Sequence, residues 1–212
     1  MKLLIIGATG GTGQYVVEQA LALGHTVKAF VRNQAKIKIS HANLKVMQGD
    51  VMELATLQMA MQDQEAVICC LGAPAHKAGN LRSVGTENLI KAMNEKGVSR
   101  LICQSSLGFG DSAILLKNAS FFTKNIVVPY LLKKTFEEHQ IQENLIKQSD
   151  LNWTIVRPAT LNNGKFTGNY KHGFPYTDTS LKLKISKADV ADFLVAQLSS
   201  NTYQGKITGI SY

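Results

Sequence analysis

Residues 1–33 read MKLLIIGATGGTGQYVVEQALALGHTVKAFVRN, and they decide the fold. After Lys2 the run LLII (3–6) is apolar at every position, which indicates a strand covered on both faces. Gly7, Gly10, Gly11 and Gly13 follow, four glycines within seven residues. GQYVVEQALALG (13–24) then has helical spacing and ends in glycine, and TVKAFVR (26–32) returns to a strand. Strand, glycine turn, helix and strand form one βαβ unit with a right-handed crossover.

The same alternation runs outward from this unit. Strand patterns recur at LKVMQGD (44–50), EAVICCLG (65–72), SRLICQSS (99–106) and NWTIVRP (152–158), and helical ones at MELATLQMAMQD (52–63), GTENLIKAMNEKG (85–97) and 130–150. A loop-rich stretch follows, about 158–185. SKADVADFLVAQLSS (186–200) opens with a Ser186-to-Asp189 capping arrangement, and GKITGIS (205–211) is the last strand candidate. The pattern predicts one domain, 1–212: an α/β, doubly wound Rossmann domain with a parallel sheet and a small C-terminal substrate-side region.

Gly7, Gly10 and Gly13 form GxxGxxG between strand and helix. Glycine permits positive φ and lets a phosphate approach the backbone, and the last glycine lets helix and strand pack. The helix N-terminus offers free N–H groups and a positive dipole end to a pyrophosphate. Thr9, Gly11 and Thr12 fill the loop with small or hydroxyl-bearing residues. A glycine-rich turn without a ligand is the bland alternative, and the order strand–turn–helix favours a dinucleotide. An NAD site usually ends its second strand in an acid; here Arg32 stands there, with Lys36 one turn on. A guanidinium attracts the 2′-phosphate that a carboxylate would repel, so the expected cofactor is NADP, as NADPH. A solvated arginine is the alternative. Asp50 and Val51 end the third strand where an adenine would lie. Asp50 either accepts from the adenine amino group or caps the next helix. Leu71, Gly72 and Ala73 end the fourth strand along the cofactor's middle. Ser105 and Ser106 end the fifth, near the nicotinamide, because ligands bind beyond the carboxyl ends of parallel strands.

Composition narrows the partners. The chain has 212 residues and a net charge of +8, with a pI near 9.4. Its lysines are scattered, and no basic run is interleaved with aromatics, so a nucleic-acid partner is not expected. An anionic cofactor and an anionic substrate account for the charge equally well. No apolar run approaches the roughly 20 residues of a membrane span, and LLII is too short for a signal-peptide core. The expectation is a cytoplasmic protein without a membrane partner. Cys69, Cys70 and Cys103 lie in strand patterns without metal-ligand spacing and read as buried, reduced thiols.

The stretches GATGGTG, VRN, GDV, SRLICQSS and LIKQSDLNWTIVRPATL together resemble the atypical short-chain dehydrogenases/reductases with NmrA-like Rossmann domains. Within that group the chain looks most similar to the biliverdin-IXβ reductase/flavin reductase family, through EEHQIQENLIKQSDLNWTIVRP to ISKADVADFL. The resemblance implies an open pocket above the nicotinamide for planar tricyclic or tetrapyrrolic acceptors. Hydride goes to flavin (FMN or riboflavin) or biliverdin, with the proton coming largely from solvent. It also implies cofactor binding by Gly7, Thr9, Gly10, Gly11, Thr12, Gly13, Arg32, Lys36, Asp50, Val51, Leu71 and Gly72, with Ser106 alongside. Ser105 is implied beside the reacting ring, His139 near the nicotinamide amide, and Pro158 over the ring. Ala188 departs from the histidine expected in the most similar members.

Tyr130 and Lys134 present a competing YxxxK spacing. Four residues apart on a helix, they share a face, and with Ser105 they suit a carbonyl dehydrogenase or sugar epimerase. The gapless register from Glu143 to TIVRP instead puts His139 at the lysine's place and Thr135 at the tyrosine's. A third reading is an NADP(H)-sensing NmrA-like regulatory protein. The loop 162–180, with Lys165, Phe166, Tyr170, Lys171, His172, Phe174 and Tyr176, either rims a flat anionic acceptor or tucks its aromatics into the core. The expected partner is a small-molecule acceptor, flavin or bilin, and the expected state a monomer or weak homo-oligomer.

Overall fold

The computed structural model describes residues 1–73, 79–118, 130 and 132–212. Their strands are β1 (Lys2–Ile6), β2 (Thr26–Val31), β3 (Leu44–Gln48), β4 (Ala66–Cys69), β5 (Arg100–Gln104), β6 (Asn152–Pro158), β7 (Thr160–Asn162), β8 (Lys171–His172), β9 (Lys184–Ser186) and β10 (Lys206–Ser211). The helices are α1 (Gly11–Ala22), α2 (Leu54–Met61), α3 (Leu81–Lys96), α4 (Lys133–Lys147) and α5 (Lys187–Ala196). One sheet runs β3-β2-β1-β4-β5-β6-β10-β8, parallel throughout except for the short edge strand β8. β7 and β9 pair separately, in parallel. The strand order reverses between β1 and β4, and at such a switch point the connections diverge and leave a crevice beyond the strand ends.

The unbroken apolar run in β1 follows from cover on both faces. Leu3 and Ile5 pack with Val16, Val17 and Ala20 of α1 and Val190 and Leu194 of α5. Leu4 and Ile6 point the other way, to Leu57, Met61, Leu89, Met93 and Ile146 of α2, α3 and α4. Each such fully buried side chain contributes about 2 kcal/mol of transfer free energy, so the sheet's centre is the most firmly held part of the molecule.

The helix ends bear on the site. α1 starts at Gly10 with no side-chain cap and no acidic residue in its first turn, so its leading N–H groups have no side-chain partner. α3 ends at Gly97 in the left-handed region (φ +69°). α5 starts as its sequence foretells, with Ser186 Oγ accepting from Asp189 N at 3.0 Å. Buried Asp189 also accepts from Thr167 N (2.8 Å), Gly168 N (2.9 Å) and the Thr167 hydroxyl (2.9 Å), which ties the stretch before β8 to α5. Among the described residues no helix is long and apolar enough to cross a membrane.

Candidate active site

The carboxyl ends of the parallel strands open on a cavity of about 1080 Å³, just above the roughly 1,000 Å³ at the top of the range for a single small ligand. One wall is backbone. Gly7 has φ +79°, and a Cβ there would stand 2.4 Å from the Cys70 carbonyl oxygen; at Gly13 it would stand 2.1 Å from the Gly7 carbonyl oxygen. Only hydrogen fits at either place. A Cβ on Gly11 would meet the end of the Lys187 side chain at 2.8 to 2.9 Å. The Lys187 ammonium therefore lies beside the start of α1, donating to Asn163 Oδ1 at 2.6 Å. An uncapped helix N-terminus with an adjacent ammonium suits a pyrophosphate. Thr9, Gly10, Gly11 and Thr12 line the cavity with Gly7 and Gly13.

Arg32 is exposed at the rim and lines the cavity, as does Val51. Two of the expected cofactor contacts do not. Lys36 is exposed on a 3-10 turn (Gln34–Lys36) and is not part of the lining. Asp50 is also outside it: its Oδ1 accepts from Met52 N (3.0 Å) and its carbonyl from Glu53 N (2.9 Å) and the Thr56 hydroxyl (2.9 Å). Asp50 thus makes the bonds of a turn cap leading into α2.

The opposite wall is made of side chains. Ser105, Ser106, Thr135, His139 and Pro158 line the cavity there, while Leu71, Gly72 and Ala73 line it at the end of β4, beside the glycine turn. Ser105 Oγ donates to Glu143 Oε1 at 2.7 Å and lies 3.4 Å from His139 Nδ1. Glu143 is fully buried and is gripped by Arg157 through Nε to Oε1 (2.8 Å) and Nη2 to Oε2 (2.7 Å). This is the fork-to-carboxylate geometry that gives an ion pair strength in a dry setting. Arg157 also donates to Asp111, and its guanidinium carbon lies 4.8 Å from the Phe109 ring centre. Burial opposes the charge of Arg157, yet the bonds and charge of Glu143 outweigh it and raise its pKa. Serine, the ion pair and the start of the 110–118 segment thus form one unit.

His139 is buried and its pKa is pushed down to about 3, chiefly by burial and next by the charge of Arg82. It is therefore a neutral imidazole at physiological pH. With the Ser105 proton directed to Glu143, its oxygen is open to accept from His139 Nδ1 in the tautomer that carries the proton there. Arg82 itself lines the cavity from the first turn of α3.

Tyr130 is 80% exposed, Lys134 is exposed, and neither lines the cavity. Thr135 and His139 occupy the wall instead, in the register counted from Glu143. The aromatic loop also stays outside. The Tyr170 hydroxyl donates to Asp192 at 2.6 Å, His172 stacks 5.0 Å from Phe193, and none of Lys165, Phe166, Tyr170, Lys171, His172, Phe174 and Tyr176 lines the cavity. Most of these aromatics pack on α5 and β10, and the rim is supplied by Pro158–Leu161 and Leu183 instead.

A doubly wound sheet with a glycine turn and an anion-ready helix end at its switch point defines a dinucleotide-binding Rossmann protein. Residues 7–201 match the NAD(P)H-binding family, and the chain belongs to this family. It is 32% identical to an uncharacterized chloroplastic protein of Arabidopsis thaliana over 99% of this chain and 76% of that one. Among solved structures, it is similar to a short-chain dehydrogenase/reductase of Veillonella parvula in complex with NADP, with a TM-score of 0.78 and 21% identity over 100% of this chain and 94% of that one. It is likewise similar to ChuY, an anaerobillin reductase of Escherichia coli O157:H7, with a TM-score of 0.81 and 22% identity over 99% of this chain and 96% of that one.

Proposed function

We propose that the protein is an NADPH-dependent reductase that delivers hydride to a planar conjugated acceptor of the flavin or bilin class. The observation that carries this is the make-up of the reacting wall. Thr135 and a neutral His139 stand where a carbonyl dehydrogenase needs an acid and a cation, and Ser105 has its proton turned to Glu143. Such a wall orients a ring and excludes water but supplies no proton near neutrality. Flavins and bilins need none from the protein, because they delocalise the incoming electron pair and take a proton from solvent.

Bound NADPH supplies the hydride. The glycine turn, the α1 N-terminus and Lys187 hold its pyrophosphate, and Arg32 its 2′-phosphate, which favours NADPH over NADH. Ser105 and His139 fix the position of the reacting ring, and the Glu143–Arg157 pair keeps Ser105 in one rotamer. The same framework serves an anaerobillin reductase, which is consistent with a tetrapyrrole-sized acceptor. The proposal includes a small-molecule partner only, without nucleic acid or membrane, a monomer or weak homo-oligomer, and a cytoplasmic setting that suits three unbonded thiols.

The test pairs calorimetric titrations of NADPH and NADH with NADPH oxidation in the presence of FMN, riboflavin or biliverdin. NADPH binding at least tenfold tighter, with turnover of at least one acceptor, is expected. Tight binding without turnover on this panel overturns the reductase in favour of a redox sensor. Absence of nucleotide binding overturns the reading of the glycine turn.

A further inference from the structure

Arg82 is not accounted for by the cofactor. Its residue is 6% exposed and lines the cavity, its Nε is buried without a partner, and its guanidinium makes no hydrogen bond or ion pair among the described residues. The nearby carboxylates give its guanidinium no hydrogen bond, although the charge of Glu138 favours the cation. Glu138 accepts from the backbone N–H groups of Arg82 and Ser83 (3.1 Å each) and from the Ser83 hydroxyl (2.9 Å), closing the N-terminus of α3. Glu143 belongs to Arg157 and Ser105. A largely buried guanidinium whose fork has no hydrogen-bond acceptor among the described residues is costly to keep unless a ligand completes it.

Position indicates which ligand. A Cβ on Gly72 would lie 3.9 Å from Arg82 Nη2, so the guanidinium faces the end of β4. The cofactor's phosphates have other receivers: the α1 N-terminus with Lys187, and Arg32 at the end of β2. Thr135, one turn before His139, also lines the cavity, and its hydroxyl has no hydrogen-bond partner among the described residues.

We infer that Arg82, assisted by the Thr135 hydroxyl, is the receptor for a carboxylate or phosphate oxygen of the acceptor, so that the enzyme selects acidic acceptors. This rests on the reductase reading for the acceptor's identity, while the anion receptor is testable without it. A guanidinium suits this task because its planar fork meets two oxygens at once.

The first experiment needs no turnover. NADP⁺-loaded protein is titrated calorimetrically with inorganic phosphate and with succinate, in wild type and Arg82→Met. The variant is expected to bind the probes at least tenfold more weakly, while its NADPH Kd moves less than threefold. Equal probe binding by both proteins overturns the inference even if flavin or bilin is reduced. A tenfold rise in NADPH Kd also overturns it, because the partner of Arg82 is then a cofactor phosphate. The second experiment compares matched acceptors, FMN against riboflavin and biliverdin against its dimethyl ester. Arg82→Met is expected to lower the kcat/KM preference for the charged member at least tenfold. A loss shared equally by both members overturns the inference. Probe binding lost in the variant while wild type reduces none of the four sustains the receptor and fails only the acceptor class. Methionine removes a buried charge, so thermal unfolding of the apo variant is expected at or above the wild-type temperature. Should it not fold, Arg82→Lys keeps the charge without the fork and is expected to show a smaller loss of the same preference.

Discussion

The two walls of the cavity are built in opposite ways. At the ends of β1 and β2 the site is main chain: glycines that cannot carry a Cβ, free N–H groups at a helix start, and cations at the edge. At the ends of β5 and β6 it is side chain: a serine, a glutamate and an arginine from β6 that lock one another, with an aspartate from the 110–118 segment on the outside. The glycine turn and helix start of the first wall are specified within seven consecutive residues, Gly7–Gly13, and only its cations, Arg32 and Lys187, come from farther along the chain. The second needs partners 14 to 46 residues apart to meet. The lesson is that phosphate recognition is written locally, whereas the geometry of the reacting end is written across the fold.

The difference is sharpest in what it costs to damage each wall. Arg157→Met leaves Glu143 fully buried without its counter-charge, and breaking such a pair is expected to cost about 3–5 kcal/mol. Urea unfolding measures it, and Glu143→Leu added to Arg157→Met is expected to restore much of the loss. A single-variant cost below about 1 kcal/mol would mean that water already reaches the pair. Gly13→Ala attacks the other wall. Its methyl would lie 2.1 Å from the Gly7 carbonyl oxygen, and the forced shift is expected to cost about 3 kcal/mol and to abolish NADPH binding. Gly24→Ala is the counterpart: Gly24, unlike Gly13, has positive φ (+79°) but nothing within 4 Å of the added carbon, so about 1 kcal/mol and intact binding are expected. Equal effects at the two glycines would show that close approach to the Gly7 carbonyl does not govern the turn.

This contrast also explains what could be read from the chain. The βαβ order, the glycine turn and the capping of α5 were legible because each depends on neighbours within a few residues. The register of α4 was legible only through a longer pattern: Tyr130 and Lys134 have the spacing of a catalytic pair, yet counting from Glu143 places Thr135 and His139 on the wall. Arg82 gave no local signal, since a lone arginine early in a helix is ordinarily solvated. The pairing of β7 with β9 was illegible because strands of three residues carry no alternation. The aromatics of 166–176 pattern equally well as a rim or as packing, and their contacts with Phe193, Tyr203 and Gly209 come from parts of the chain beyond any local window.

Smaller effects separate the walls further. On the proposed reading Arg32 would meet the 2′-phosphate alone, so Arg32→Ala is expected to lower NADPH affinity about 10- to 100-fold, the worth of one charged hydrogen-bonding group. NADH affinity should stay within about twofold, and a parallel loss for NADH would return Arg32 to the role of a general surface charge.

The smallest effect belongs to His139 and is read through pH. The folded protein keeps the imidazole neutral down to about pH 3, whereas the unfolded chain takes up its proton near the ordinary value of about 6.5. Below that value the unfolded state holds more protons, so this contribution to stability is complete above about pH 6.5 and is lost on acidification toward 3. Its slope approaches about 1.4 kcal/mol per pH unit. Between about pH 5.5 and 4.5, wild type is expected to lose roughly that much more unfolding free energy than His139→Gln, measured in urea at each pH. Identical acid slopes would mean that the histidine is already protonated in the folded state. The reacting wall would then carry an acid beside Ser105, and the case for a solvent-derived proton would give way to one for general acid catalysis.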